Sequence, residues 1–256
     1  MDVLRYAGYF VAGVFIGILA AMFGLGGGFL IVPTLNFLGV EIHRAVGTSS
    51  AAVVFTSLSS AIAYHRQRRI HYRAGLLLAL TAVPGAYLGA WMTSFISASG
   101  MKVLFGLALL IVALRIYRKR SVEPGEVRPS EIRINYRILP LGGLFSGIIS
   151  GLLGVGGGII NVPLLTYLGL PIHYAVATSS FAIVFTATAG ALKHYMLGNV
   201  EVRWLVLLVP GLIVGAQMGA MIARRTRAES LKGAFAVVMT LLAIRMVLKG
   251  LGLPVP

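Results

Sequence analysis

An all-α membrane protein made of two homologous halves is the fold class this sequence predicts, and three observations predict it. The chain of 256 residues is 58% hydrophobic and only 11% charged, with a mean hydropathy of +0.91. A soluble domain carries about 25% charged residues. The apolar residues are gathered into long runs separated by short basic loops, as in polytopic membrane proteins. The chain also repeats itself: between 24–50 and 154–180, at a constant offset of 130, 16 of 27 positions are identical. An internal duplication of this length governs how every other segment is read.

The apolar runs fall near 6–23, 29–40, 45–64, 74–98 and 101–117, and again near 137–153, 159–172, 175–197, 203–223 and 231–251. Eight of them are long enough to cross about 30 Å of hydrocarbon at about 1.5 Å per residue. The first is read as a retained helix and not a signal peptide, because its mid-chain counterpart carries the same glycine pair, Gly13/Gly17 matched by Gly143/Gly147. The runs 29–40 and 159–172 are short and contain Pro33 and Pro163. They are expected to be half-helices, re-entrant segments or tilted spans. The repeats are therefore assigned to 1–117 and 136–256, with about five membrane or half-membrane helices each. The intervening 118–135, with Arg118, Lys119, Arg120, Pro124 and Pro129, is expected to be a solvated linker.

Charge placement gives orientation. The formal net charge is +15, but the cations sit in loops between apolar segments, which argues against nucleic acid as a partner. If all ten segments span, the loops 65–73, 115–137 and 224–232 share one side and hold 15 of the 22 Lys and Arg. That side is expected to be cytoplasmic, the linker included, in a multi-pass protein of the cytoplasmic membrane. Five segments per half would make the repeats inverted and four would make them parallel; the expectation is inverted repeats, as in many secondary transporters.

The chemistry is defined first by what is missing. Asp2 is the only aspartate, and all six glutamates (Glu41, Glu123, Glu126, Glu131, Glu201, Glu229) lie in loops or at segment ends. No carboxylate pair can sit at mid-membrane, so a catalytic role is not expected and a carboxylate-lined cation path is disfavoured. With no cysteine and no close histidine cluster, neither a metal nor a cofactor is expected.

What remains are two duplicated constellations. The runs Gly24-Leu25-Gly26-Gly27-Gly28 and Gly154-Val155-Gly156-Gly157-Gly158 lack the strand and acidic residue of a dinucleotide loop. They serve close helix packing or free the backbone at membrane depth, which is tolerated only inside protein or beside a polar cavity. The second reading makes Gly26, Gly27, Gly28, Gly156, Gly157, Gly158 and Asn161 candidate substrate contacts. Thr48-Ser49-Ser50 and Thr178-Ser179-Ser180 are expected to open long helices. There they either cap the helix or, with its positive end, hold a small oxyanion. The aligned His43 and His173 are candidates for proton coupling or interfacial anchors. Lys193-His194, opposite Ala63-Tyr64, is expected to snorkel, and one of Gln217 and its counterpart Trp91 to face the cavity.

The paired pattern Gly24-Leu25-Gly26-Gly27-Gly28…Pro33…Gly47-Thr48-Ser49-Ser50 and Gly154-Val155-Gly156-Gly157-Gly158…Pro163…Ala177-Thr178-Ser179-Ser180 resembles the TauE/SafE sulfite-exporter permease family over essentially the whole chain. The resemblance implies a lipid-embedded permease for sulfur-containing or organic anions such as sulfite or sulfonates. Asymmetric pairs (Ile31/Asn161, Asn36/Thr166, Trp91/Gln217) leave the anion open. A non-transporting scaffold, whose glycines only pack helices, and an anion channel stand as alternatives.

Overall fold

The computed structural model describes residues 2–118, 136–225 and 229–253, so the expected linker 118–135 lies almost wholly outside the described residues. The described chain is helical throughout, with α1 (Asp2–Phe23), α2 (Gly28–Phe37), α3 (Ile42–Arg66), α4 (Tyr72–Met92) and α5 (Ala98–Arg118) in the first half. The second half repeats the order as α6 (Leu139–Leu153), α7 (Gly158–Tyr167), α8 (Ile172–Met196), α9 (Val202–Arg225) and α10 (Glu229–Gly250). Among the described residues six helices are long and apolar enough to cross a membrane: α1, α3, α4, α6, α8 and α9.

The elements follow from local sequence. The short helices α2 and α7 begin after Gly27 and Gly157, both left-handed at φ 95° and 79°, a conformation that glycine adopts without a Cβ penalty. They end at Gly39 and Gly169, where Val40 N–H donates to Leu35 O and Leu170 N–H donates to Leu165 O across the turn. The long helix α3 starts at Ile42, capped by the Glu41 carboxylate, which accepts from the N–H groups of His43 and Arg44. The expectation that Thr48 and Thr178 open α3 and α8 is thus incorrect. The helices start six residues earlier, at Ile42 and Ile172, because Glu41 and Pro171 are competent first-turn boundaries.

The halves interlock. Helix α1 packs along α9 of the other half, and α6 along α4, through glycines that bring backbones into contact. A Cβ on Gly17 would stand 2.4 Å from Leu212 O, and one on Gly147 would stand 2.1 Å from Ala82 O. Here the glycine pairs do serve packing. Gly147→Ala must push α4 and α6 apart, and a fall in stability of about 1–3 kcal/mol is expected. Thermal unfolding of the detergent-purified variant checks it, and an unchanged melting temperature would show that the interface yields.

Helices α3 and α8 form the centre and run in opposite directions. Thr48 near the start of α3 meets the turn before α9, while Thr178 near the start of α8 meets the turn before α4. This defines two faces: a first with loops 38–41 and 197–201, and a second with loops 67–71 and 168–171. Helix α1 starts at the first face, where Tyr9 lies edge-on to Trp204, and α2 returns there, since Leu38–Glu41 share a cavity with Trp204. The α1–α2 pair is therefore a helical hairpin whose two ends lie at the same face. The α6–α7 pair is its counterpart on the second face, with Tyr136 before α6 against His71 and Arg73.

Candidate functional site

The two hairpin tips meet in the middle of the molecule. A Cβ on Gly28 would lie 2.2 Å from Gly154 O, and one on Gly158 would lie 2.2 Å from Gly24 O. Val53 on α3 and Ile183 on α8, themselves 130 positions apart, close over Gly26 and Gly156. All the glycines of both clusters are buried. The structure thus brings together six of the predicted residues, Gly26, Gly27, Gly28, Gly156, Gly157 and Gly158, at one point.

The geometry leaves donors over. Among the described residues no acceptor is found for the backbone N–H groups of Gly26, Gly27, Gly28 and Phe29, nor for those of Gly156 through Ile159. Helix starts always leave such groups, and buried ones almost always find a partner. Here two helix starts, each with a positive dipole end, converge on each other. Anions gather at such places.

The hydroxyl triplets play a different part from the one expected. Lying inside α3 and α8, they do not expose a helix end. Ser49 Oγ donates to Gly154 O at 2.8 Å, and Ser179 Oγ donates to Gly24 O at 3.0 Å. Each central helix thereby grips the tip of the other half's hairpin. Thr48 Oγ1 accepts from Glu201 N–H and Thr178 Oγ1 from His71 N–H, both at 2.9 Å. Ser180 Oγ donates to Val176 O within its own helix. Thr48, Ser49, Thr178 and Ser179 are fully buried, and Ser50 and Ser180 nearly so. Ser49→Ala with Ser179→Ala leaves two buried carbonyls without their donors. A loss of about 1–3 kcal/mol per site is expected, read as a lower melting temperature in detergent.

The tips differ in polarity although their backbones match. In the second hairpin Asn161 is fully buried beside Ser146, whose Oγ lies 3.0 Å from Gly157 O and against Asn161 Oδ1. Asn161 Nδ2 has no partner. The first hairpin carries Ile16 and Ile31 in the same places. Ser146 was missed by sequence reasoning, because its repeat partner is isoleucine and nothing in the run 137–153 singles it out.

Other candidates lie elsewhere. Gln217 Nε2 donates to Ser59 O at 2.8 Å, tying α9 to α3 beyond the tip contacts of Ser49 and Val53, and Trp91 is 45% exposed against Phe95. Neither faces the tips. His43 sits at the first face, its Nδ1 on Glu41 Oε1 at 2.8 Å and its Nε2 on Ile96 O at 2.9 Å. Burial pushes the Glu41 carboxyl up, but hydrogen bonds from the His43 ring and from the His43 and Arg44 N–H groups outweigh it and hold it below the usual value. His173 is exposed, at the second face. The structure brings neither histidine to the tips.

His194 does not snorkel. It is fully buried and bonds Gly151 O through Nε2 at 2.8 Å. Its repeat partner Tyr64 donates to Ala21 O at 2.8 Å. The two contacts join equivalent positions, so a duplicated clasp survives a change of residue type. Among the described residues no group of three or more His, Cys, Asp or Glu could hold a metal.

The likeness to known proteins runs along nearly the whole chain. Residues 9–246 match the family described as Sulfite exporter TauE/SafE. "Probable membrane transporter protein YunE" of Bacillus subtilis is 29% identical over 264 residues, covering 94% of this chain and 97% of that protein. "Probable membrane transporter protein YdhB" of the same organism is 32% identical over 209 residues, covering 80% and 85%. "Probable membrane transporter protein MJ0441" of Methanocaldococcus jannaschii is 27% identical, covering 93% and 94%. No solved structure matches the chain.

Proposed function

The chain belongs to the TauE/SafE sulfite exporter family, a family of membrane transporters and not of enzymes, and from that premise we propose that it is a secondary transporter for small sulfur-containing or organic anions. The carrying observation is the convergence of two helix starts, α2 and α7, on one buried point with unpartnered N–H donors on each. A dispersed oxyanion charge suits several short backbone donors and two positive dipole ends, and it needs no buried cationic side chain. The family description, with its sulfite, supports a small tetrahedral or pyramidal oxyanion.

The substrate contacts in this reading are the N–H groups of Gly26, Gly27, Gly28, Gly156, Gly157 and Gly158, together with Asn161 Nδ2. The hydroxyls of Ser49 and Ser179 act as latches that hold the tips shut, with Thr48 and Thr178 fixing the neighbouring turns. The tips are in contact, so an anion reaches the site only when they part. Alternating access then consists of one hairpin withdrawing from the other with its grip on α3 or α8 released. Opposite directions of α3 and α8 support inverted repeats, which make the two withdrawals equivalent and open the site to opposite faces. The basic excess supports a cytoplasmic second face.

A thermal-shift series on detergent-purified protein tests the reading with sulfite, sulfate, thiosulfate and small sulfonates. Selective binding stabilises the folded state by RT ln(1 + [L]/Kd), about 2.7 kcal/mol at a hundredfold excess over Kd. A saturable rise with one oxyanion is expected. No rise with any anion would favour glycine clusters that only pack helices.

A further inference from the structure

A second polar site lies at the first face, apart from the tips. A cavity of about 170 Å³ is lined by Asn36, Gly39, Val40, Glu41, Lys102 and Lys249, among others. Three helices converge on it: the end of α2, the start of α5 and the end of α10, the last two packed antiparallel. Asn36 is 4% exposed and its Nδ2 donates to Val40 O at 3.1 Å, which fixes the amide. Its Oδ1 is then buried with no donor. A buried acceptor left this way is destabilising, so a ligand that donates to it gains affinity.

The charges around that oxygen are unbalanced. Neither Lys102 nor Lys249 has a carboxylate partner among the described residues. Glu41 also lines the cavity, but its oxygens are already taken by the His43 ring and by the N–H groups of His43 and Arg44. The cavity therefore offers two ammonium groups against the single carboxylate of Glu41, and one acceptor that lacks a hydrogen. Fully deprotonated anions satisfy only the lysines, and neutral alcohols only the amide.

We propose that this cavity binds an oxyanion that carries a hydroxyl, with its charged oxygens on Lys102 and Lys249 and its O–H donated to Asn36 Oδ1. Hydrogen phosphate, hydrogen sulfite and the hydroxyl-bearing phosphodiester of an anionic lipid share that chemistry. The site belongs to one face only. In the second half Asn36 is replaced by Thr166, whose hydroxyl is spent on Val162 O within α7. Since Asn36 lies at the far end of the short helix α2, which starts at the tip, an occupant would bear on the first hairpin and not on the second.

The test titrates inorganic phosphate, sulfate, dioctanoyl-phosphatidylglycerol and dioctanoyl-phosphatidylcholine into the delipidated full chain in detergent and follows the melting temperature. Wild type should respond saturably to phosphate about tenfold more tightly than to sulfate, which has no O–H at neutral pH. Lys102→Gln with Lys249→Gln should lose the response. Asn36→Thr, the residue natural at the matching position, should keep a response and lose the preference for phosphate. Thr166→Ala, at the matching position of the second half, should change neither. A response to phosphatidylglycerol without one to phosphate supports the same residues and names a lipid headgroup as the source. No response to either, an equal response in the double lysine variant, or a response lost in Thr166→Ala overturns the proposal.

Discussion

Gly158→Ala is expected to reduce saturable anion flux at least about tenfold and to lower the melting temperature. Its Cβ would stand 2.2 Å from Gly24 O and 2.6 Å from Leu25 Cα, both backbone atoms of the opposing tip. No flexible side chain is there to move aside, so the tips themselves must shift. The thermodynamic cost belongs at the upper end of the roughly 1–3 kcal/mol seen for overpacking. Gly28→Ala, whose Cβ would meet Gly154 O at 2.2 Å, should behave in the same way. Unfolding in detergent and uptake into proteoliposomes separate the two effects. Wild-type flux in either variant would mean that contact between the tips is no part of the transport cycle.

Asn161→Ile should remove anion binding while the fold persists. The first half already carries isoleucine at the matching position, Ile31, fully buried in a hairpin of the same backbone. The substitution thus repeats a solution that the chain itself uses. It loses the contact with Ser146, about 0.5–1.5 kcal/mol, and the amide that remains unpartnered in the structure. Stabilisation by sulfite in the thermal-shift series should vanish when Asn161→Ile is read in the Lys102→Gln, Lys249→Gln background, which silences the first-face cavity. An undiminished shift would move the site away from the second hairpin.

How much of this was legible in the sequence depends on what was duplicated. The glycine clusters stood out because close backbone approach tolerates nothing larger, so both copies kept the same residues at Gly26–Gly28 and Gly156–Gly158. The half-helices were visible in Pro33 and Pro163 and in their short apolar runs. Their return to the face they came from was not, because hydropathy carries length and not direction. Thr48 and Thr178 misled for a related reason. They follow a polar turn at a distance that also fits a helix start, and only the Glu41 cap puts the true start of α3 at Ile42. The duplicated clasp of Tyr64 on Ala21 and His194 on Gly151 was hidden because what is kept is a donor of similar reach, not a residue type. Ser146 was hidden because polarity at the tips is confined to one copy.

The measurement that bears most directly on a central anion site is flux of radiolabelled sulfite into proteoliposomes, taken under anaerobic conditions for wild type and Asn161→Ile side by side. Saturable flux in wild type, competed by unlabelled oxyanion and lost in a variant that still inserts and melts cooperatively, is the predicted result. Equal flux in both proteins would contradict a site between the hairpin tips.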